Sequence, residues 1–449
     1  MTPSYVSTRN PCKLCAPFGA TLAFLGLEGC IPLLHGSQGC STYIRRYMIG
    51  HFREPVDVAS SNFHEQAAIF GGKSNLAEAI FNVVKQYQPR VIGIATTCLA
   101  ETIGDDVGMI LRELSSKAGN VDLPALVHAS TPSYHGCDAE GYHAAIRAMV
   151  DQLAGNQPGA DHLALFPGML SSEDLRYLRD LVEDFELPVI MLSDYADRLD
   201  GPTWDTFHRI PKGGTPLEQL YRLGGARTCL ELTSIYEPAR TGGGLLADRF
   251  GVRHVRLPMP IGVKLTDRFT RELEAISGRS LPYRHAAERG RLIDSYVDAH
   301  KYVFDKRAVL FGHEDLVVSL SAFLAEVGMI PALIASGGGN AGRLRRAVLS
   351  AAPELEGHTR ILGGVDFAEI EEAAVQVQAD LLIGSSNGYR LSRQLGVPLV
   401  RVGLPIHDRL GAARVMHVGY RGTQQLFDRI VNALLEARQD GDPTGYTHM

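Results

Sequence analysis

The sequence predicts an α/β chain of three successive units, each a parallel sheet flanked by helices. Two observations carry that reading. Short β-rich apolar runs alternate with amphipathic helical patterns from one end of the chain to the other, the pattern of strand–helix–strand construction. The 449 residues, 45% hydrophobic and 21% charged, are ordinary globular material and enough for about three hydrophobic cores.

Taken in order, the first unit has strand patterns at 31–35, 91–96 and 125–128 and helical patterns at 75–86, 103–117 and 141–153. The second has strands at 162–166, 189–193 and 228–233 and helices at 172–184 and 266–277. A charged helical stretch at 286–302 returns the chain. The third unit has strands at 308–312, 332–335, 381–384 and 399–402 and helices at 314–327 and 424–437. These patterns place domains at 1–155, 156–305 and 306–449. The alternation repeats an architecture, not a sequence.

The bulk charge excludes several function classes. A net charge of −6 with Lys and Arg spread along the chain leaves no basic tail or patch for nucleic acid. The N-terminus lacks a basic segment followed by an apolar one. No apolar run approaches the roughly 20 residues that span a bilayer. The expectation is a cytoplasmic protein bound to neither nucleic acid nor membrane.

The seven cysteines are Cys12, Cys15, Cys30, Cys40, Cys98, Cys137 and Cys229, and an odd number argues against a disulfide framework. Cys30, Cys137 and Cys229 read as small buried hydrophobes. Three others have a special setting. Cys98 directly follows the strand at 91–96, where open α/β sheets place ligands. Cys40 ends His35-Gly36-Ser37-Gln38-Gly39-Cys40, a Gly-rich turn after a strand, and such turns admit a bulky group close to the backbone. Cys15 follows Cys12 in a lone CxxC. That pair lacks the second pair of a zinc site and precedes the first clear strand, unlike a thioredoxin-type pair. The three thiols suit a metal–sulfur site short of the usual four cysteines, hence one shared with another chain.

Two other motifs invite different chemistry. Gly72-Lys73-Ser74 resembles the end of a phosphate-binding loop, but Ala67 stands where its first Gly belongs, so it reads as a helix entry. Gly384-Ser385-Ser386-Asn387-Gly388 matches a hydrolase nucleophile elbow, with Asp408 and His417 following in the order such enzymes use. A turn rich in small residues is the plainer reading. The hydrolase built on Ser386 stands as the alternative from another class.

Long segments resemble the β-type subunits of the nitrogenase component 1 family. They are His35-Gly36-Ser37-Gln38-Gly39-Cys40, His51-Phe52-Arg53-Glu54-Pro55, Ala68-Ile69-Phe70-Gly71-Gly72, Thr96-Thr97-Cys98-Leu99-Ala100-Glu101 and Ile103-Gly104-Asp105-Asp106. Later come Glu288-Arg289-Gly290-Arg291-Leu292, Leu404-Pro405-Ile406-His407-Asp408-Arg409 and Gly419-Tyr420. The resemblance implies three Rossmann-like domains and a homologous α-type partner in an α2β2 heterotetramer. It implies a P-cluster-like [8Fe-7S] electron-relay group between the two chains, gripped here by Cys15, Cys40 and Cys98. Ser133, in Thr131-Pro132-Ser133-Tyr134, corresponds to a serine that binds one iron on oxidation. A separate ATP-hydrolysing reductase with its own [4Fe-4S] cluster is implied, as is a larger catalytic iron–sulfur cluster on the partner. Cys12 has no counterpart among the ligands, and His417 reads as structural.

Within the family, a nitrogenase β subunit usually carries a long N-terminal extension, whereas 14 residues precede Cys15 here. The scaffold subunit for iron–molybdenum cofactor assembly shares wording such as Thr42-Tyr43-Ile44-Arg45-Arg46-Tyr47. Methylthio-alkane reductase, which releases methanethiol from small thioethers, resembles this chain in length and in a full set of cluster ligands. The last is the expectation taken forward.

Overall fold

The computed structural model describes residues 10–117, 123–134, 136–156 and 161–442. Among them the strands form three separate sheets. The first contains β1 (Cys30–His35), β2 (Ala59–Ser60), β3 (Val91–Thr96) and β4 (Ala125–Ala129), in the order β2-β1-β3-β4. The second contains β5 (Leu163–Phe166), β6 (Val189–Met191), β7 (Thr228–Leu232) and β8 (Arg253–Leu257), in the order β6-β5-β7-β8. The third contains β9 (Arg307–Phe311), β10 (Ile330–Ser336), β11 (Arg360–Gly363), β12 (Leu381–Gly384) and β13 (Leu399–Arg401), in the order β11-β10-β9-β12-β13. The expected α/β class with parallel sheets between helices is what the chain adopts. Every residue of β1, β3, β5, β7 and β12 is buried, as a parallel strand covered by helices on both faces requires.

By contacts the chain divides into two compact units. One comprises Leu14–Arg256 with Gly411–Arg414 and holds the first and second sheets. The other comprises the chain up to Lys13, Leu257–Leu410 and the chain from Val415, and holds the third sheet. The return helix spans Tyr283–Val303. It packs in the latter unit against the closing helix Gly419–Asp440, through Arg421 to Glu288 at 2.6 Å and Tyr296 against Phe427.

Several elements are absent from the sequence reading, among them the helices Gln38–Phe52, Gly242–Phe250, Ala341–Ala351 and Phe367–Val377 and the strands Arg253–Leu257 and Arg360–Gly363. Two further departures have a clear physical reason. The helix expected at 103–117 begins only at Val107, because the chain turns left-handed at Gly104 (φ +83°), and the residues before it form a separate short helix, Cys98–Ile103. The helix Ala16–Leu25 has no counterpart in the sequence reading. All ten of its residues are buried, so it carries no polar stripe and no 3.6-residue periodicity to reveal it. It lies against Asp138–Leu153 at very short range. A Cβ on Gly19 would fall 1.7 Å from the Asp138 carbonyl oxygen, and one on Gly141 1.9 Å from that of Ala16. Two backbones meet there, and neither can yield as a side-chain tip could.

That contact generates a paired test. Gly141→Ala should lower thermal stability by at least about 1–3 kcal/mol, because even a methyl group must push the two helices apart. Gly290→Ala, in a helix where an added Cβ meets nothing within 4 Å, should instead raise stability by about 0.5–1 kcal/mol. Thermal denaturation of the two variants measures both. Equal midpoints would show that the helices have room.

Candidate metal–sulfur site

The carboxyl ends of β1, β3 and β4 lie side by side. His35 is paired with Thr96, and Ala95 with Ala129, so all three parallel strands release their chains at one edge. From β1 the chain passes Gly36 and Ser37 into the helix Gln38–Phe52, which carries Cys40 in its first turn. From β3 it passes Thr97 into the helix Cys98–Ile103, whose first residue is Cys98. From β4 it runs through Ser130, Thr131 and Pro132 to Ser133. The Gly36 position serves the fold itself, since a Cβ there would fall 1.9 Å from Thr97 Oγ1.

Cys15 enters from another direction, as the residue that caps the helix Ala16–Leu25. The Leu14 amide donates to Asp138 Oδ1 at 3.3 Å and the Asp138 amide to the Leu14 carbonyl at 3.1 Å, which fixes its approach. Ser133 then joins two ligand segments. Its hydroxyl accepts the Ala16 amide at 3.1 Å, and its own amide donates to Cys98 Sγ at 3.2 Å.

Glu101 completes the frame. Its carboxylate accepts from the hydroxyls of Thr96 and Ser130. Thr131 donates its amide to Thr96 Oγ1 at 2.9 Å and its hydroxyl to the Thr96 carbonyl at 2.6 Å. The turn after β4 is therefore tied to the end of β3 beside Cys98. The sequence reading assigned no role to Glu101. A carboxylate three residues after Cys98, among hydroxyl residues ending two strands, is the signal that could have found it.

Cys40 lies within electrostatic reach of both Cys15 and Cys98. Burial pushes the Cys15 thiol up to about 12, opposed by the Phe18 amide and reinforced by Asp138 and Cys40. Burial raises Cys40 as well, with Cys98 adding to it. All three thiols are partly buried, unlike Cys30, Cys137 and Cys229. Among the described residues, no three His, Cys, Asp or Glu side chains converge closely enough for one metal ion. Thiols with a backbone amide on one sulfur are the kind of donor set that iron–sulfur groups use.

Cys30 and Cys229 are completely buried and Cys137 nearly so. Burial pushes Cys30 up to about 12 and Cys229 well above the ordinary thiol range, as inert core thiols should behave. Cys12 packs against the core of the third sheet.

The decoys resolve in physical terms. The Gly72 amide, which would face a phosphate, donates to the Asp105 carboxylate at 2.9 and 3.2 Å, and Lys73 pairs with Glu113 at 2.6 Å. A carboxylate at that amide repels an anion. Ser386 donates directly to Asp408, which Arg401 holds through two nitrogens. A serine nucleophile needs a proton-accepting base at its hydroxyl, most often an imidazole, and here a carboxylate locked by a guanidinium takes that bond. The hydrolase alternative fails on this geometry.

No helix among the described residues is long and apolar enough to cross a membrane.

The family model for nitrogenase component 1 type oxidoreductases matches residues 15–435. The nitrogenase molybdenum-iron protein beta chain of Methanothermobacter marburgensis is 36% identical over 436 residues, covering 95% of this chain and 94% of that one. The nitrogenase iron-molybdenum cofactor biosynthesis protein NifN of Bradyrhizobium diazoefficiens is 32% identical, covering 98% and 92%. Among solved structures, a chain of nitrogenase Cp1 at pH 6.5 superposes with a TM-score of 0.95 at 31% identity, covering 100% of this chain and 98% of that one.

Accessibility separates the two classes of cysteine. In folded, iron-free chain, a thiol alkylating agent should modify Cys40 and Cys98 while leaving Cys30 and Cys229 untouched until denaturant is added. Peptide mass spectrometry reads the sites, and labelling of all four at one rate would remove the distinction.

Proposed function

Because this chain belongs to the nitrogenase component 1 type oxidoreductases, as a β-type subunit, we propose that Cys15, Cys40 and Cys98 hold half of a P-cluster-like [8Fe-7S] group shared with a homologous α-type partner. The observation that carries this reading is that Ser133 bonds both to Cys98 Sγ and to the segment of Cys15, while Cys40 follows the strand paired with the one that leads to Cys98. Three thiols leave half of such a group without ligands, so the partner supplies the rest, within the α2β2 heterotetramer that the family likeness implies. When bound, the group supplies one-electron storage and transfer.

The chain's own residues supply the rest. Cys15, Cys40 and Cys98 give up thiol protons when they ligate iron. Ser133 holds its amide against Cys98 Sγ, and such amide–sulfur bonds help set cluster potentials. Its hydroxyl stands by the Cys15 segment, available as a harder oxygen ligand when iron is oxidised. Asp105 fills the only phosphate-loop-like amide noted in the sequence, so nucleotide hydrolysis falls to a separate [4Fe-4S] reductase. The larger catalytic cluster falls to the partner.

Within the family we assign methylthio-alkane reductase: reductive C–S cleavage of small thioethers with release of methanethiol, driven by ATP hydrolysis on the reductase. A complete thiol triad with Ser133 suits a relay that cycles electrons, more than a scaffold that passes a precursor on. The likeness to the NifN protein favours the scaffold as the second reading, and the likeness to nitrogenase beta chains keeps a nitrogenase β subunit beside it.

Cys40→Ala and Cys98→Ala should each cost the complex iron, while Cys137→Ala and Cys229→Ala should cost only packing, about 1–3 kcal/mol. Equal iron in all four would remove the ligand assignment. Ser133→Ala should leave the reduced group intact and change its oxidised paramagnetic signal and midpoint. An unchanged redox titration would reduce Ser133 to a turn residue. For the branch, the complex with its reductase, ATP and a strong reductant should release methanethiol and hydrocarbon from a small thioether. Transfer of a cluster precursor to apo-nitrogenase without methanethiol would establish the scaffold, and reduction of dinitrogen the nitrogenase.

A further inference from the structure

His35 and Asp105 form a buried contact that the relay reading leaves unused. His35 is the last residue of β1, five residues before Cys40, and its side chain is fully buried. Asp105 follows the helix that begins at Cys98, and its amide bonds back to the Ala100 carbonyl at 3.2 Å. The two meet with His35 Nε2 3.1 Å from Asp105 Oδ2. On the other side of the ring, Nδ1 lies 3.1 Å from Ser61 Oγ, and Ser61 Oγ accepts the Gly36 amide at 2.9 Å. Phe63 stands edge-on to the ring at 4.8 Å.

The proton inventory assigns the tautomer. Ser61 has one hydroxyl proton. With Nδ1 as acceptor, that proton serves the ring while the oxygen accepts Gly36. Nε2–H then donates to the Asp105 carboxylate, which also takes the Gly72 amide. Burial lowers the His35 pKa, against the pull of Asp105 and Glu101, in keeping with a neutral ring. The result is a closed chain of bonds from Gly36 through Ser61 and His35 to Asp105. One end fixes the backbone leading to Cys40 and the other the end of the Cys98 helix. Parallel pairing of β1 with β3 sets only where these segments begin; this chain sets where they go.

We propose that His35 and Asp105 are positioning residues that hold the Cys40 and Cys98 segments at a fixed separation for the shared iron–sulfur group. The inference rests on the relay reading above. Neither residue touches the group. Each acts through the backbone of a ligand segment, so its loss changes the strain and hydrogen bonding at the cluster before it costs iron.

The test uses the assembled complex with its partner, carrying Asp105→Asn, His35→Gln or Ser61→Ala. Glu113→Gln, in the exposed pair with Lys73, is the control. Iron per complex, the oxidised paramagnetic spectrum and the cluster midpoint are measured for each. Full iron with a shifted midpoint and altered spectrum is expected for Asp105→Asn and His35→Gln. A smaller change is expected for Ser61→Ala, and none for the control. Asp105→Glu, which keeps the charge, should return the midpoint toward wild type. A wild-type midpoint and spectrum in every assembled variant would overturn the proposal. Should the first two variants fail to assemble, Ser61→Ala decides in the same way. Loss of the relay reading has a different mark: full iron in Cys40→Ala and Cys98→Ala.

Discussion

Parallel pairing of β1 with β3 and of β3 with β4 is the constraint on which the site depends. Parallel strands end at the same edge, so whatever follows each strand is gathered there by backbone hydrogen bonding alone. With His35 opposite Thr96 and Ala95 opposite Ala129, the Cys40 helix, the Cys98 helix and the Ser133 turn start as neighbours, although almost a hundred residues of chain separate the first from the last. A one-residue slip of either pair would turn the strand-end side chains to opposite faces. The complete burial of β1 and β3 excludes such a slip, because it would displace two packed faces at once.

Cys15 owes its place to a different force. Its helix is held in the interior by apolar burial on every side and by backbone contact with Asp138–Leu153. The same unit is pinned from the second sheet's side by Arg198, whose buried guanidinium donates to the carbonyls of Leu27 at 3.1 Å and Cys30 at 2.6 Å. Burial brings that group down to about 10, still well above neutral pH, so it stays charged and its charge-assisted bonds to carbonyls offset part of the desolvation cost. The first strand and the first helix are thus anchored by one buried cation at their junction.

The chemistry of the site follows from this division. The helices that follow β1 and β3 carry Cys40 and Cys98, Cys15 caps a separately anchored helix, and Ser133 bonds to Cys98 Sγ and to the Cys15 segment. Polar side chains of the segments that carry the thiols are engaged with one another: Glu101 with Thr96 and Ser130, and His35 with Ser61 and Asp105.

The sequence by itself determined the α/β class, the place of most strands and the identity of the thiols worth attention. Alternating runs report burial directly, and cysteines after strands stand out by position. The family was legible because its motifs are contiguous runs of residues, some at strand ends and others within helices, as at 288–292. Only the tertiary structure decided what depends on meeting across distance. The helix Ala16–Leu25 escaped notice because uniform burial erases periodicity, and the helix expected at 103–117 begins only at Val107, past one left-handed glycine. That Ser133 bridges Cys98 and the Cys15 segment, that Asp105 and not a phosphate receives the Gly72 amide, and that Ser386 faces a locked carboxylate all rest on side chains 22 to 117 residues from their partners. Local sequence carries no signal of such pairs, since they form only when separate elements have packed.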